Sequence, residues 1–339
     1  MPIGIPDAGG HRHIVSSGSS PAMPDVVPLV GEPSPNPPSR RPIRFDEKNL
    51  WPTEAGLRMN PSILPDGDGY LFAVRTSWTL AEIVIGRLDA DFRPAGPHRR
   101  LKLEHSDADL GQDDPRLFRL QGQPHVSFAG QSRRTGRDAT SQLFARLSAD
   151  GTQVEEVFAP HYPLRRNREK NWSFFEHDGE LYTVYCFTPC RVLKIVGNSA
   201  IPVYETPTRS LWQGGEIRGG ASPVRVGDEL WCFFHDRIYT SGQFVYRTGL
   251  LTLDGQPPFR VRRMLNGPIL IADRRTKPAN QFPYVVFPGG AVRCGNDWIV
   301  AHGIHDLWIE LHWFSHTDLE SRLVTLRVPR GQGSTGPTG

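Results

Sequence analysis

The feature that most constrains this chain is a short motif that recurs five times, each copy heading an apolar run. The copies are NPSIL (60–64), DPRLF (114–118), KNWSFF (170–175), GGASPV (219–224) and VVFPGGAV (285–292), spaced by roughly 50 residues. Each precedes a hairpin pattern and an outgoing strand pattern. A repeat of that length predicts four-stranded blades around a channel, because closing the ring leaves no long sheet edge exposed. The expected fold is all-β, a five-bladed β-propeller. A β-sandwich is the alternative, but nothing in a sandwich requires five like-spaced motifs.

The runs between the motifs support the same class. YLFAVRT, IVIGRLD, PHVSFAG, SQLFARLS, LYTVYCF, RVLKIV, ELWCFFH, TGLLTLD, WIVAHGI and IELHWFS are six to eight residues long. Most are rich in Val, Ile, Leu, Thr and aromatics, and turns such as DGDG, LSADG, EHDGE, VGDE and CGND separate them. Long amphipathic helical patterns are scarce, so many short strands with regular turns are predicted.

The first 42 residues carry ten prolines and almost no apolar periodicity. Such a segment buries too little surface to offset its chain entropy. We therefore expect a flexible Pro-rich arm at 1–42, the propeller at 43–330 and a flexible tail at 331–339.

Charge and hydropathy exclude several functions. Lys and Arg number 39 against 36 Asp and Glu, a net charge of +3, which argues against a dedicated nucleic-acid surface. No stretch approaches the roughly 20 apolar residues of a membrane helix. The N-terminus lacks the basic-then-apolar order of a secretory signal, so a cytoplasmic protein is expected. On that expectation the Asn171-Trp172-Ser173 sequon carries no glycan.

Metal signatures are weak. Cys186 and Cys190 form C-x3-C, half of a zinc site without a second half, and all four cysteines (with Cys232 and Cys294) are expected to be inert buried thiols. His11 and His13 lie in the expected arm, where a metal would lack rigid support. DGDG (66–69) lacks the glutamate of a calcium loop and reads as a hairpin turn. No metal or organic cofactor is expected. Phosphate-loop, dinucleotide, zinc-protease and nucleophile-elbow motifs are missing from the sequence.

The recurring motifs place Asn60, Asp113, Asp114, Arg116, Lys170 and Asn171 at the heads of apolar strands. In a propeller the innermost strands line the axial channel, so these polar groups would converge on one pocket. The plainer reading is that Asp-Pro and Asn-Pro start turns. Core packing is likewise the plain reading of Trp172 and Trp308, which could otherwise stack on sugar faces.

Taken in order, NPSIL with Arg75, DDPRLF, KNWSFF, GGASPVRVGDELWCFFHD, YRTGLLTL, and VVFPGGAV with AHGIHD resemble glycoside hydrolase family 130. That family comprises five-bladed propellers acting on β-mannosides, and the resemblance covers about residues 57–310. It implies that Asp114 is the general acid, with Asp113 a neighbouring acid where the family usually has glutamate. Sugar-binding residues of the family match Asn60, Arg75 and Asp306, and Asp113, Arg116 and Asn171 are expected beside them. Phosphate-binding residues resemble Lys170, His235 and Tyr246, with Arg133 or Arg134 in the place of a phosphate arginine. The alternative for RRTGR is a solvated hairpin loop.

A general acid must hold its proton near neutral pH, so the surroundings of Asp114 would have to raise its carboxyl pKa. Asp236 follows His235 where the family usually has glycine. Its charge would oppose a bound anion unless paired by Arg237 or Arg218, or else it, or Glu216, could act as a base in hydrolysis. The resemblance implies an inverting, carbohydrate-active enzyme that uses inorganic phosphate or a sugar phosphate as co-substrate with an oligosaccharide partner. Hydrolysis, glycosyl transfer on the same scaffold, and glycan binding without catalysis are the alternatives.

Overall fold

A computed structural model describes residues 38–52, 57–77, 80–134, 136–273 and 284–327. Nearly all regular structure is strand. A short strand β1 (Ile43–Phe45) is followed by the sheet β2 (Met59–Asp66), β3 (Gly69–Arg75), β4 (Ile83–Leu88) and β5 (Pro94–Arg100). The next sheet is β6 (Gly111–Leu120), β7 (Gln123–Ser132), β8 (Gly136–Leu147) and β9 (Val154–Phe158). A third comprises β10 (Ser173–His177), β11 (Glu180–Phe187), β12 (Cys190–Val196) and β13 (Ser199–Thr206). Within each, successive strands pair antiparallel in chain order. All ten runs singled out in the sequence are strands.

The next sheet departs from that form. It joins β14 (Arg218–Gly219), β15 (Val224–Val226), β16 (Glu229–Thr240), β17 (Gln243–Asp254), β18 (Val261–Met264) and β19 (Leu270–Ile271). The last sheet is β20 (Val286–Cys294), β21 (Asp297–Ile304) and β22 (Trp308–Ser315), with β1 added at its outer edge. After helix α1 (His316–Arg322), strand β23 (Val324–Thr325) returns to pair with β18 and makes the preceding sheet seven-stranded. The arrangement is propeller-like. The expectation of five alike four-stranded blades is corrected, since four sheets are four-stranded and one is the larger seven-stranded sheet. Three additions make the difference: proline at 223 cannot donate to a ladder and the inner strand is divided there, so β14 and β15 both pair with β16; β19 pairs with β17; and β23 pairs with β18.

Apolar side chains pack between successive sheets. Leu71, Ile83, Leu117 and Phe128 join the first to the second, and Phe118, Phe144, Trp172 and Phe174 the second to the third. Val184, Phe187, Phe234 and Leu251 form the next interface, and Trp231, Phe233, Trp298 and Val300 the one after it. Phe72, Ile299 and Leu311 then join the last sheet to the first. The last sheet is assembled from distant parts of the chain, with Ile43 opposite Leu311 and Ser39 N–H donating to Trp313 O at 2.7 Å.

The expected arm up to residue 37, with His11 and His13, and the tail from 331 lie outside the described residues. No helix among the described residues is long and apolar enough to cross a membrane. All four cysteines are free. Cys190 and Cys232 are buried, burial pushing the Cys190 thiol up to about 12, but Cys294 is exposed, which corrects its expected burial. DGDG forms the β2–β3 turn.

Candidate functional site

The site is built from β-bulges at the heads of the inner strands. Along β2 the pairing steps from Met59↔Arg75 to Ser62↔Ala73, three residues against two. Along β6 it steps in the same way from Asp113↔Ala129 to Arg116↔Ser127. Each bulge contains the proline of the motif, which has no N–H to offer the ladder. The residue before it turns left-handed, with φ of 46° at Asn60 and 56° at Asp114. Asn171 (67°) and Asp306 (56°) share that conformation. Asn and Asp tolerate it better than other side-chain-bearing residues, so the backbone that aims these groups inward also selects their type.

The four turned side chains meet in a cavity of ≈ 110 Å³ that Arg75, Lys170, Arg218, His235, Tyr246, Val285 and Phe287 also line. Asn60 Nδ2 donates to Asp114 Oδ1 at 2.6 Å. A Cβ on Gly303 would come within 2.5 Å of Asn60 Oδ1, so glycine at that point of β21 makes room for the amide. Asp114 is buried, with Lys170 Nζ 3.7 Å from Oδ2 and Arg75 Nη1 3.9 Å from Oδ1.

Burial raises the proton affinity of Asp114, but Lys170, Arg75, Arg116 and the Asn60 bond together bring its pKa below the ordinary carboxylate value. The magnitudes explain the outcome. A unit ion pair near 4 Å is worth about 4 kcal/mol at an effective dielectric constant of about 20. The cations together outweigh the desolvation. A resting general acid would need the reverse direction. Asp306 has the raised pKa instead, lifted to about 6 by burial, with Arg75 opposing and the Asp114 charge adding to the rise. Asp113 is also raised, mainly by burial, with Arg75 Nε at 3.2 Å and Gln131 Nε2 donating at 2.8 Å.

Asp113 and Arg116 are not part of the cavity wall. Arg116 is buried behind it, and its Nη2 donates to Asn171 Oδ1 at 2.9 Å and to Gly219 O at 3.1 Å. It thereby ties the third motif to the fourth. Burial brings its pKa down to about 10 against the opposing pull of Asp114. His235 is buried between Tyr246 and Phe287, at ring separations of 5.9 and 4.8 Å. Burial, then Arg116, Arg218 and Lys170, hold it well below the ordinary histidine value, so it is a neutral imidazole at neutral pH.

A second chamber of ≈ 560 Å³ shares Lys170, Asn171, Arg218 and Tyr246 with the inner cavity. Its wall adds Arg166, Arg168, Arg237 and Glu216. Glu216 accepts from Arg166 at 2.8 Å and from Arg218 at 3.1 Å.

Eight of the expected site residues therefore line one cavity: Asn60, Arg75, Asp114, Lys170, Asn171, His235, Tyr246 and Asp306. Arg133 and Arg134 do not. They sit at the β7–β8 turn with highly exposed side chains, paired with Asp109 and Asp107, and the solvated-loop alternative describes them. Besides Arg75, Arg218 reaches the cavity, from the residue before GGASP.

Asp236 is not a loose charge, and it lines neither chamber. It is completely buried, takes hydrogen bonds from Arg247 Nε (2.9 Å), Trp212 Nε1 (2.9 Å) and Gly215 N (3.0 Å), and forms a salt bridge with Arg247. Its partner is thus Arg247, not Arg237 or Arg218, and the pair anchors the loop that leads to Glu216 and Arg218. Trp172 is core, its Nε1 donating to Glu169 at 2.7 Å, and Trp308 is buried beneath Arg44. Among the described residues no group of three or more His, Cys, Asp or Glu is placed to hold a metal.

No protein-family model and no curated protein matches this sequence. Solved structures do match its fold. A β-1,2-mannobiose phosphorylase from Listeria innocua, in complex with β-1,2-mannobiose, superposes with a TM-score of 0.63 at 13% identity, covering 84% of this chain and 99% of that one. A structure described for GH130, a family of mannoside phosphorylases containing hydrolases of β-1,2-mannosidic linkages in Candida mannan, gives 0.59 at 13% identity, over 87% and 96%. A mannose phosphorylase from Leishmania mexicana, in complex with phosphate, gives 0.50 at 13% identity, over 81% and 89%. The fold of this chain is thus similar to that of mannoside phosphorylases and their hydrolytic relatives.

Proposed function

We propose that the protein is a carbohydrate-active enzyme that cleaves or forms a β-mannosidic or similar bond with inversion, using phosphate or a sugar phosphate. On this reading the seven-stranded sheet serves as the fifth blade around the site. The observation that carries the proposal is that a buried carboxylate, Asp114, and the donors Lys170, Arg218, His235 and Tyr246 face one small cavity. The fold it shares with phosphate-using mannoside enzymes supports the same chemistry.

In the cleaving direction a phosphate oxygen attacks the anomeric carbon from the face opposite the departing oxygen. The glycosidic C–O bond breaks, and Asp114 gives its proton to that oxygen directly or through a sugar hydroxyl. A mannose 1-phosphate and a free sugar result. Asn60, Arg75 and Asp306 hold the sugar hydroxyls, while Arg116 keeps Asn171 in place from behind. A phosphate at Lys170 and Arg218 offsets the positive charge that keeps Asp114 ionised, so loading the nucleophile raises the proton affinity of the acid.

The raised pKa of Asp306 favours a second reading, in which Asp306 is the proton donor. Incubation with mannose 1-phosphate and a panel of sugar acceptors separates these readings by the phosphate released. Loss of release in Asp114→Asn supports the first assignment. Loss in Asp306→Asn with Asp114→Asn active supports the second. Turnover of a mannoside undiminished without phosphate assigns water as the nucleophile, and sugar binding without turnover by any variant removes the enzyme reading.

A further inference from the structure

The outer chamber carries more positive charge than one phosphate requires. Arg166, Lys170, Arg218 and Arg237 face it, with Glu216 as the single carboxylate in its wall. Glu216 is shared between Arg166 and Arg218, so it balances one of the two at most. The Arg237 guanidinium lies 4.2 Å above the Phe244 ring and pairs with no carboxylate among the described residues. A neutral oligosaccharide presents hydroxyls that both donate and accept, whereas guanidinium and ammonium groups only donate. A neutral acceptor would leave this wall poorly matched. Planar arginine forks suit phosphate and carboxylate oxygens.

The two chambers also differ in charge balance, with two carboxylates among the cations of the inner cavity and one in the wall of the outer chamber. The inner cavity holds Asp114 and Asp306 among its cations, and the outer one opens onto arginines. A substrate with an uncharged ring at one end and an anionic group at the other is thereby oriented, ring inward. Inorganic phosphate takes Lys170 and Arg218 at the junction, and Arg166 and Arg237 lie in the part of the chamber that the inner cavity does not share.

We infer that the sugar accepted or released at the outer chamber is itself anionic, a phosphorylated or carboxylated sugar. This rests on the assignment of the inner cavity as the reacting site.

The test offers mannose 1-phosphate with glucose, glucose 6-phosphate or glucuronate at fixed ionic strength and follows phosphate release. Calorimetric binding of each acceptor is measured in parallel, with and without saturating inorganic phosphate. The expected result is a kcat/KM about 30-fold higher for an anionic acceptor, equivalent to about 2 kcal/mol, and shrinking as salt is added. The ratio of the two anionic acceptors tells phosphate from carboxylate as the recognised group. Arg166→Gln and Arg237→Gln should each lower the anionic-to-neutral ratio roughly tenfold, and Arg237→Lys should restore part of it.

Equal or better use of glucose overturns the inference while leaving the reaction assignment intact, as does a ratio that neither variant changes. Complete displacement of the anionic acceptor by inorganic phosphate also overturns it, because the two anions would then have one seat. Absence of turnover with every acceptor, together with anionic-sugar binding that Arg237→Gln weakens, overturns the reaction assignment and keeps the anionic chamber.

Discussion

Lys170 Nζ stands 3.7 Å from Asp114 Oδ2, and the same side chain lines both the inner cavity and the outer chamber. One ammonium is therefore shared between the carboxylate and any anion that enters. A new negative charge beside Lys170 draws on the interaction that keeps Asp114 ionised. Proton uptake by the carboxylate and anion binding are linked through this one residue.

Removing the ammonium should expose that link. In Lys170→Met the Asp114 pKa is expected to rise, because the ammonium that most opposes its burial is gone. Carboxyl carbon NMR titration of the variant and the parent protein reads the shift directly. The parent should show a similar rise when inorganic phosphate is added and the variant a smaller one. An Asp114 signal that titrates identically in both proteins would sink the linkage.

Asp306 gives a stability prediction with a defined sign. Its folded-state pKa is raised to about 6 from the model-peptide 3.8, so the folded protein favours the protonated form. The stabilisation is fully present below about pH 4 and is lost as the pH rises through 6, up to about 3 kcal/mol before solvent screening. Asp306→Asn should remove this dependence. Denaturant unfolding at several pH values should show the variant gaining on the parent between pH 4 and 6, and a constant difference across that window would contradict it.

The Arg247–Asp236 pair should be costly to break. Arg247→Met leaves a fully buried carboxylate without its cation, and such losses typically cost about 3–5 kcal/mol. Urea unfolding measures it. Asp236→Asn should cost less, because Trp212 Nε1 and Gly215 N can still donate to the amide oxygen. The reverse order would show that the pair is not the anchor of the 212–215 loop.

Arg133→Gln and Arg134→Gln test the arginine reassignment. Both side chains are at the surface and far more exposed than Arg218. Each change should alter stability by no more than about 0.5 kcal/mol and leave the phosphate KM within about twofold. Arg218→Gln should raise that KM at least tenfold. Equal effects at all three positions would return the RRTGR loop to the site.

The sequence exposed what is local. Alternating apolar runs and their turn residues carried the ten strands, because a half-buried strand and a tight hairpin are each specified within a few residues. The motif heads were legible as polar residues heading apolar strands, but the left-handed turn and bulge that point Asn60 and Asp114 inward were not. The divided inner strand β14–β15, the return of β23 and the addition of β1 to the last sheet were not legible. They depend on pairings between segments far apart in the chain, which no window of sequence contains. The same limit explains the arginines. RRTGR and Arg218 both stood near a motif, but Asp107 and Asp109 hold the first pair outward. The pull of three cations on Asp114 likewise arises only once 75, 116 and 170 have been brought together.

The joining of β1 to β22 bears on the order in which the last sheet can assemble. Ser39 and Trp313 are 274 residues apart, so β1 has no partner until the chain through β22 has been made. Until then a nascent chain presents the growing last sheet without its outer strand, and β1 emerges with nothing to pair with. The last sheet gains its outer strand only once β22 has been made, and any packing that depends on that strand comes later still.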